Sequence, residues 1–379
     1  MLEYVIIIQP LGLLYGSSGR FLSPENLVGR SGRQFPPTAA TLSGLFAYYA
    51  HQNNKPEILP DLLLAGPFWA KENHPQNFYV PTPFNCLVKD NEIQHQMFFD
   101  GENWKVWKDN QPQIPPDDKY QKGTWVAIND WGKLQTSQPK ELPKIQTNPW
   151  KFLPHLHPRL QQQQRRVATE ADETQGSLFL ENAVQLDPDT CLIYLSNTEI
   201  AEGWYRFGGE GHLVNLRCEK LEHPGKDWGK DWLNEPLKKS FALIVPAVWG
   251  SNRHSYRSPE CDPTINKLGW PENQVDSLLT QRPQPFRYRL GKRKTDDKPI
   301  SEPFSTQTLT DENERNYQPS GLLSRGRYAV PAGTVYVLEK SLEKPWYQWD
   351  KSWFPQEGFY SLKRWGCGLA LPLEGAILS

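Results

Sequence analysis

The sequence lacks the features that mark secreted and membrane proteins. It has no apolar run approaching the roughly 18 residues of a membrane span, and its start has no basic stretch leading into a signal-peptide core. Its 5 cysteines are widely spread and include no CxxC pair, which argues against a disulfide framework and a thiolate zinc site. We therefore expect a soluble cytoplasmic protein with no membrane partner, no metal site and no cofactor.

Excess charge is missing as well, because 42 Lys and Arg stand against 43 Asp and Glu, for a net charge of −1. This balance excludes a histone-like protein that binds polyanions through bulk charge, although it permits a local basic surface. The chain also has no GxSxG, HExxH or EF-hand motif and no lysine at P-loop spacing. The sequence therefore offers none of these standard catalytic or nucleotide sites.

Aromatic residues and proline are abundant instead. The 379 residues include 15 Trp, 15 Tyr and 16 Phe, which supply large apolar surfaces that disordered chains lack, although only 37% of all residues are hydrophobic. The 34 prolines indicate short elements joined by long, stiffened loops. The length is typical of two domains or one large one.

The first elements can be predicted from the apolar pattern. Residues 4–8 are short, β-branched and apolar, as in a buried strand. Thr38 is expected to cap the helix that follows, and Gly44 is expected to mark a point of close packing. The apolar face of this helix follows the spacing i, i+3, i+4 and i+7: Leu42, Leu45, Phe46 and Tyr49.

Two halves of the chain each open with a buried strand, which predicts a duplicated α+β architecture. The best candidate linker is the polar stretch 221–239. We expect one domain over 1–225, with a Pro/Trp-rich insertion at about 71–175, and a second over 236–379 that ends in a glycine-rich turn. The further strands are predicted at 96–99, 124–128, 191–195, 212–216, 241–246 and 333–338.

A first candidate site lies between the first strand and the first helix. Two short segments, 16–20 and 29–33, combine glycine, serine and arginine. Glycine-rich backbone at a helix start, hydroxyl groups and arginine forks all suit phosphate oxygens. A flexible loop with solvated arginines is the alternative. The candidate phosphate contacts are Ser18, Arg20, Arg30, Ser31, Arg33, Thr38 and Thr41.

A second candidate is the turn at 208–212, in which three glycines surround one acid and one imidazole. Such a turn permits a ligand or another backbone to come close. His212 or Glu210 has the chemistry of a general acid or base, and a plain hairpin turn is the alternative. The residues concerned are Gly208, Gly209, Glu210, Gly211 and His212.

Two later segments combine cations with aromatic rings. Residues 282–294 alternate the two types without an acid, which suits phosphates and stacked bases; a solvated charged face is the alternative. The second segment is a terminal glycine turn. The candidate RNA contacts from the two segments are Arg287, Tyr288 and Arg289 in the first and Arg364, Gly366 and Gly368 in the second.

The tract 155–166 is interpreted as an exposed hairpin tip or a mobile loop, with His155 and His157 as surface residues.

Several of these segments occur together in the order found in one protein family. They are the first strand, the helix opening at 36–44, the turn at 208–211, the stretch 330–336 and the turn at 366–368. The chain thus resembles the third subunit of the Cmr-type (type III-B) CRISPR effector complex, a RAMP superfamily protein. The resemblance implies an α+β fold of two ferredoxin-like (RRM-like, βαββαβ) domains, here with long Pro/Trp-rich insertions.

The resemblance also implies a function. We expect a non-catalytic RNA-binding subunit of an antiviral ribonucleoprotein, which holds the 5′ tag of the CRISPR RNA and docks the large polymerase-like subunit beside a neighbouring backbone RAMP subunit. The family usually carries an Asp and an Arg just after the first strand, where this chain has residues 11–15 without either. The tract 155–166 would then be a finger that enters the RNA.

Two alternatives remain at this point. Related RAMP proteins include metal-independent endoribonucleases that process CRISPR RNA precursors, and His51 and His212 are the histidines available as a general base. The 15 tryptophans also leave open a carbohydrate-binding β-module. Cutting of repeat RNA in EDTA would support the first alternative, and sugar binding without salt-dependent RNA affinity would support the second.

Overall fold

The computed structural model describes residues 1–15, 35–158, 178–208, 211–223, 230–250, 254–262, 267–287, 289–291, 322–357 and 360–378. These residues form one α-helix, α1 (Ala39–Gln52), and many short antiparallel strands. In chain order the strands are β1 Tyr4–Pro10, β2 Leu14–Tyr15, β3 Leu64–Lys71, β4 Tyr79–Pro81, β5 Cys86–Lys89, β6 Glu92–Phe99, β7 Trp104–Lys108, β8 Gln111–Gln113, β9 Trp125–Ala127, β10 Ile145–Gln146, β11 Trp150–Pro158, β12 Leu178–Leu186, β13 Thr190–Ser196, β14 Gly203–Phe207, β15 His212–Lys220, β16 Ser240–Leu243, β17 Trp249–Gly250, β18 Ser255–Tyr256, β19 Glu260–Asp262, β20 Lys267–Trp270, β21 Asn273–Leu279, β22 Gln284–Phe286, β23 Arg289–Gly291, β24 Leu322–Leu323, β25 Arg327–Ala329, β26 Val335–Leu338, β27 Gln356–Glu357, β28 Tyr360–Ser361 and β29 Ala370–Pro372. Short 3-10 helices lie at Pro56–Ile58, Ile128–Leu134, Trp346–Gln348, Lys351–Trp353, Leu362–Trp365 and Glu374–Ala376.

The N-terminal half is built on an eight-stranded sheet in the order β10-β9-β4-β3-β13-β1-β15-β14. Strand β1 lies between β13 and β15, and both pairings are antiparallel. Its side chains alternate between the two faces: Ile6 and Ile8 pack against α1, whereas Val5 and Ile7 join the larger core on the other side. The predicted buried strand is therefore confirmed.

Helix α1 also has the predicted face, because Leu42, Leu45 and Phe46 are buried against the sheet. Thr38 occupies the N-cap position, but its side chain makes no capping hydrogen bond. Gly44 is exposed, and nothing lies within 4 Å of a Cβ built on it. The expectation of close packing at Gly44 is therefore wrong, since this glycine faces open space.

The C-terminal half is built on a six-stranded sheet in the order β19-β20-β21-β26-β16-β29. Its core is aromatic: the rings of Phe241 and Tyr336 stack with centroids 5.3 Å apart. Trp270 contacts both rings edge-on, and Trp249 and Trp349 enclose it. Much of the tryptophan content therefore serves burial, which offsets the low overall share of hydrophobic residues.

The two sheets repeat one strand order. In each sheet four strands lie side by side in the same order relative to the chain: the second, the third, the first and the fourth. These strands are β3-β13-β1-β15 in the N-terminal half and β21-β26-β16-β29 in the C-terminal half. The helices of two βαββαβ units are not found among the described residues, where α1 is the one α-helix. Between β13 and β15, where a second helix was expected, the chain forms β14 instead. The fold is α+β with few helices and many antiparallel strands.

The predicted insertion and linker are packed into the molecule. Strands β4, β9 and β10 of the insertion extend the eight-stranded sheet, and β5–β8 form a four-stranded sheet of their own. Within the described part of the 221–239 stretch, Trp232, Leu233 and Leu237 are buried in the main core. This stretch therefore contributes apolar side chains to the fold, despite its polar composition.

One hydrophobic core joins the two halves, because Phe68 of the first sheet and Phe241 of the second belong to the same cluster. Hydrogen bonds cross between the halves, such as Trp131 Nε1 to the carbonyl of Pro372 at 2.8 Å. No helix in the described ranges is long and apolar enough to span a membrane.

The strands of the eight-stranded sheet terminate at two opposite ends of the sheet, which we call the upper edge and the lower edge. At the upper edge β1 ends at Pro10, β14 ends at Phe207, and β13 and β15 begin at Thr190 and His212. The lower edge holds Tyr4 of β1 and Ser196 of β13. The seven residues of β1 separate the edges by about 20 Å, at roughly 3.3 Å per residue.

Candidate nucleic-acid interface

The start of helix α1 lies toward the upper edge. After the helix the chain reaches the lower edge, where the backbone N–H of Leu63 donates to Asn197 Oδ1 at 2.7 Å. The 14 residues of α1 span about 20 Å at roughly 1.5 Å per residue, so that its first turn lies at the other end. Thr38 and Thr41 are half-buried there, and the backbone of Thr41 donates to the carbonyl of Thr38 at 2.9 Å.

The glycine turn between β14 and β15 lies at the same edge. Gly208 and Gly211 have φ values of 83° and 65°, a left-handed backbone that glycine adopts without steric cost. The N–H of Gly211 donates to the carbonyl of Gly208 at 3.3 Å. His212 is half-buried and pairs with Phe207. The described part of this segment therefore forms a hairpin turn, as the alternative interpretation stated. Gly209 and Glu210 lie outside the described residues.

Five of the proposed phosphate contacts, in the two Gly/Ser/Arg segments, lie outside the described residues: Ser18, Arg20, Arg30, Ser31 and Arg33. The described residues on either side of 16–34 are positioned near the upper edge. Tyr15 pairs with Ala183 of β12. The ring of Phe35 meets Trp150 edge-on, with centroids 5.2 Å apart.

A long hairpin, β11–β12, starts beside this edge. Its base is held by an aromatic cluster in which Trp150 packs against Trp125, and the rings of Trp69 and Tyr79 stack at 4.0 Å. Nine residue pairs join the two strands, from Trp150 opposite Leu186 onward, which gives the hairpin a length of about 30 Å. Residues 155–158 of the 155–166 tract are paired strand residues of this hairpin. Residues 159–177 lie outside the described residues, so the predicted hairpin tip or mobile loop stays a prediction.

The terminal glycine turn lies at the lower edge, away from the turn at 208–212. Arg364 is only 8% exposed, lies 4.0 Å from the ring of Tyr360 and donates to the carbonyl of Pro60 at 3.3 Å. A Cβ on Gly366 would lie 2.6 Å from the Cα of Ala65, and a Cβ on Gly368 would lie 2.9 Å from the ring of Trp249.

This placement separates Arg364, Gly366 and Gly368 from the other candidate RNA contacts, and their own contact with RNA stays a prediction. Their neighbours are protein atoms, and the turn is buried. The three residues therefore hold the C-terminal half against β3, and they do not extend the surface formed at the upper edge.

The basic segment of the C-terminal half is only partly described. Arg287 is half-buried, and its Nε donates to the carbonyl of Ser324 at 3.0 Å. Tyr288 lies outside the described residues, and of Arg289 the structure describes the backbone alone. Strand β23, which begins at Arg289, lies against helix α1. This segment is therefore near the first helix, which is a requirement for a binding surface that includes both α1 and the basic segment.

One exposed aromatic residue was missed by the sequence reasoning. Trp204 on β14 is 72% exposed and lies on the sheet face opposite α1, as does Arg206. The signal was present in the alternation along β14, in which Tyr205 and Phe207 face the helix and the residues between them face away.

Metal-ligating side chains are not clustered in the described ranges. No group of three or more His, Cys, Asp or Glu side chains there could hold a metal ion. The two candidate bases lie far apart, because His51 is at the end of α1 near the lower edge and His212 is at the upper edge. A single phosphate group could therefore contact only one of these two histidines.

The sequence matches the family model of the CRISPR-associated protein (Cas_Cmr3) over residues 21–374. No curated protein sequence matches the chain significantly. Among solved structures, a chain of the type III-B Cmr-beta complex bound to cognate target RNA and AMPPnP is similar, with a TM-score of 0.44, 10% identity, and coverage of 88% of this chain and 86% of that one. A chain of the Csm3-Csm4 subcomplex of the type III-A CRISPR-Cas interference complex gives a TM-score of 0.36, 10% identity, and coverage of 90% and 94%. With a family match that spans most of its length, the chain belongs to the Cas_Cmr3 family of CRISPR-associated proteins.

Proposed function

We propose that this protein is a non-catalytic RNA-binding subunit of a type III CRISPR ribonucleoprotein in antiviral defence, and that it holds the 5′ tag of the CRISPR RNA at the upper edge. The observation that carries the proposal is that a helix start, a glycine turn and the base of a long hairpin all lie toward that edge. The proposed partners are the large polymerase-like subunit and a neighbouring backbone RAMP subunit.

The start of α1 is suited to a phosphate. No side chain caps it, and its first turn contains no acidic residue. Backbone N–H groups and the positive end of the helix dipole are therefore left without a competing carboxylate from that turn. The arginines of 16–34 would supply the charge that neutralises neighbouring phosphates.

The glycine turn and the hairpin suit a single strand rather than a duplex. Single-stranded RNA is held by loops that approach the backbone closely and by contacts to splayed bases. The turn at 208–211 has no side chain on Gly208 or Gly211 to keep a backbone away. The hairpin β11–β12 is long enough to reach across several nucleotides, which supports its proposed role as a finger that enters the RNA.

Co-purification tests the proposal with the full chain. A tagged protein should bring down a large polymerase-like subunit together with small RNAs that share one 5′ end. The double reversal Arg30→Glu and Arg33→Glu should reduce RNA retention at least tenfold at fixed salt, since each lost phosphate contact weakens binding. The matched control is Lys108→Glu with Lys122→Glu, which changes the charge equally at exposed residues near the four-stranded sheet. Equal RNA retention by both variants would contradict the proposed phosphate contacts.

The ribonuclease alternative makes a different prediction. It requires a general base beside a 2′-hydroxyl and a cation beside the scissile phosphate. A discrete cut in repeat RNA, made in EDTA and abolished by His212→Ala or His51→Ala, would replace the non-catalytic proposal. We expect the RNA to stay intact.

A further inference from the structure

Three side chains form a row across the upper end of the eight-stranded sheet, on the face opposite α1. Trp204 of β14 pairs with Asn215 of β15, which in turn pairs with Gln9 of β1. The side chains next to them along each strand, such as Tyr205 and Ile8, point to the helix side. The row itself is therefore directed away from the helix, and Trp204 is 72% exposed at its outer end.

A cavity of about 680 Å³ opens over this row. Gln9 and Asn215 line it together with Trp204, and the turn 187–189 and residues 11–13 complete its walls. Three carboxylates line the cavity, those of Glu72, Asp187 and Asp189, and none of the lining residues is a lysine or an arginine. A phosphate is therefore disfavoured inside the cavity, whereas a group that donates hydrogen bonds is favoured.

The two amides offer a matched pair of hydrogen-bonding groups. Asn215 Nδ2 donates to Gln9 Oε1 at 3.0 Å. This bond leaves Asn215 Oδ1 as an acceptor and Gln9 Nε2 as a donor, without a partner in the described part of the chain. Both side chains are half-buried, so that water access to these atoms is restricted. The edge of a nucleobase presents the complementary pair, a hydrogen-bond donor next to an acceptor. In adenine these are the exocyclic amino group and a ring nitrogen, and in uracil they are a ring N–H and a carbonyl oxygen.

The geometry points to a nucleobase subsite: one base of a bound single RNA strand stacks on Trp204, with its edge toward the Gln9–Asn215 pair. This inference rests on the proposed RNA binding and deepens it. Arg206 lies on the same face, two residues along β14, where it can meet a phosphate outside the acidic cavity. Aromatic side chains on a sheet face are a general means of holding unpaired bases. An apolar protein segment fits less well, because it would cover the three carboxylates in the cavity wall without offering them hydrogen-bond donors.

Fluorescence anisotropy with the full chain tests the subsite, with dye-labelled oligo(A), oligo(U) and an abasic strand of equal length at fixed salt. Trp204→Ala should weaken oligo(A) binding by about fivefold or more, which is the usual contribution of one stacked base. Trp204→Phe should retain most of the affinity. Gln9→Ala with Asn215→Ala should weaken the binding of both oligo(A) and oligo(U) and leave the affinity for the abasic strand unchanged. The matched control is Tyr48→Ala, an aromatic residue that is 61% exposed on the opposite side of the sheet.

Trp204→Ala should leave the affinity for the abasic strand unchanged, because that strand has no base to stack. The subsite is refuted when Trp204→Ala weakens oligo(A) no more than Tyr48→Ala does, or weakens the abasic strand equally. If that result accompanies RNA loss in the Arg30 and Arg33 double variant, the proposed function stands without the subsite. If the unchanged protein binds none of the strands, both proposals fail.

Discussion

Substitution of Gly366 by alanine probes the packing between the two halves of the protein. Gly366 has a φ of 74° and is buried in the turn at the lower edge. An alanine Cβ would lie 2.6 Å from the Cα of Ala65 and 2.9 Å from the carbonyl oxygen of Leu64, which are backbone atoms of β3. Backbone cannot rotate out of the way as a side chain can, so that one of the two segments must shift.

Two contributions set the magnitude. The left-handed conformation costs a non-glycine residue about 1–2 kcal/mol, and overpacking in a filled core costs about 1–3 kcal/mol. The free energy of unfolding should therefore fall by about 2–5 kcal/mol. For a chain of 379 residues this corresponds to a fall in melting temperature of at least about 2 °C, because the entropy of unfolding is about 2.1 cal/mol/K per residue. Gly44→Ala is the matched control, because this helix glycine faces open space and alanine gains about 0.5–1 kcal/mol in a helix.

Thermal unfolding followed by intrinsic tryptophan fluorescence measures both variants. We expect a lower melting temperature for Gly366→Ala, and an unchanged or higher one for Gly44→Ala. The reasoning is refuted if Gly366→Ala melts like the unchanged protein. If Gly366→Ala melts like the unchanged protein and nevertheless loses RNA affinity, Gly366 would be an RNA contact.

Two further predictions concern ionisable groups. Burial lowers the pKa of Lys363 to about 8, so that the folded state binds fewer protons than the unfolded state above that pH; stability should therefore rise between about pH 8 and pH 10.5, by at most about 3 kcal/mol. Chemical denaturation across this range should show the rise, and Lys363→Met should flatten it. Burial also raises the pKa of Cys86, Cys191 and Cys367 to about 12, so that a maleimide at neutral pH should modify the half-buried Cys218 before these three thiols; mass spectrometry that finds them modified in the folded protein would contradict this.

The elements that local patterns specify could be predicted from the sequence. The strand around Ile6 and the helix face around Phe46 follow from apolar spacing, which depends only on nearby residues. The alternation that exposes Trp204 is equally local, and it was available in the sequence of β14. What alternation cannot show is that this residue lies beside Asn215 and Gln9, since strand register depends on long-range pairing.

The terminal glycine turn could not be placed from the sequence. A glycine that follows a cation and an aromatic residue, as Gly366 follows Arg364 and Trp365, fits an RNA-binding loop and a packed turn equally well. The difference is the approach of Ala65, which is distant along the chain from Gly366. The burial of Trp232 within a polar stretch was not predicted for the same reason. The residues that this side chain packs against in the main core are distant along the chain.

The central claim is that one RNA strand lies along the upper edge of the eight-stranded sheet and is not cut there. Ultraviolet crosslinking of the co-purified ribonucleoprotein, followed by mass spectrometry of the crosslinked peptides, tests it most directly. We expect nucleotide adducts on peptides that contain Trp204, His212 or the start of α1, with RNA of intact length. Adducts confined to the lower edge around Arg364, or RNA shortened at one position, would contradict the claim.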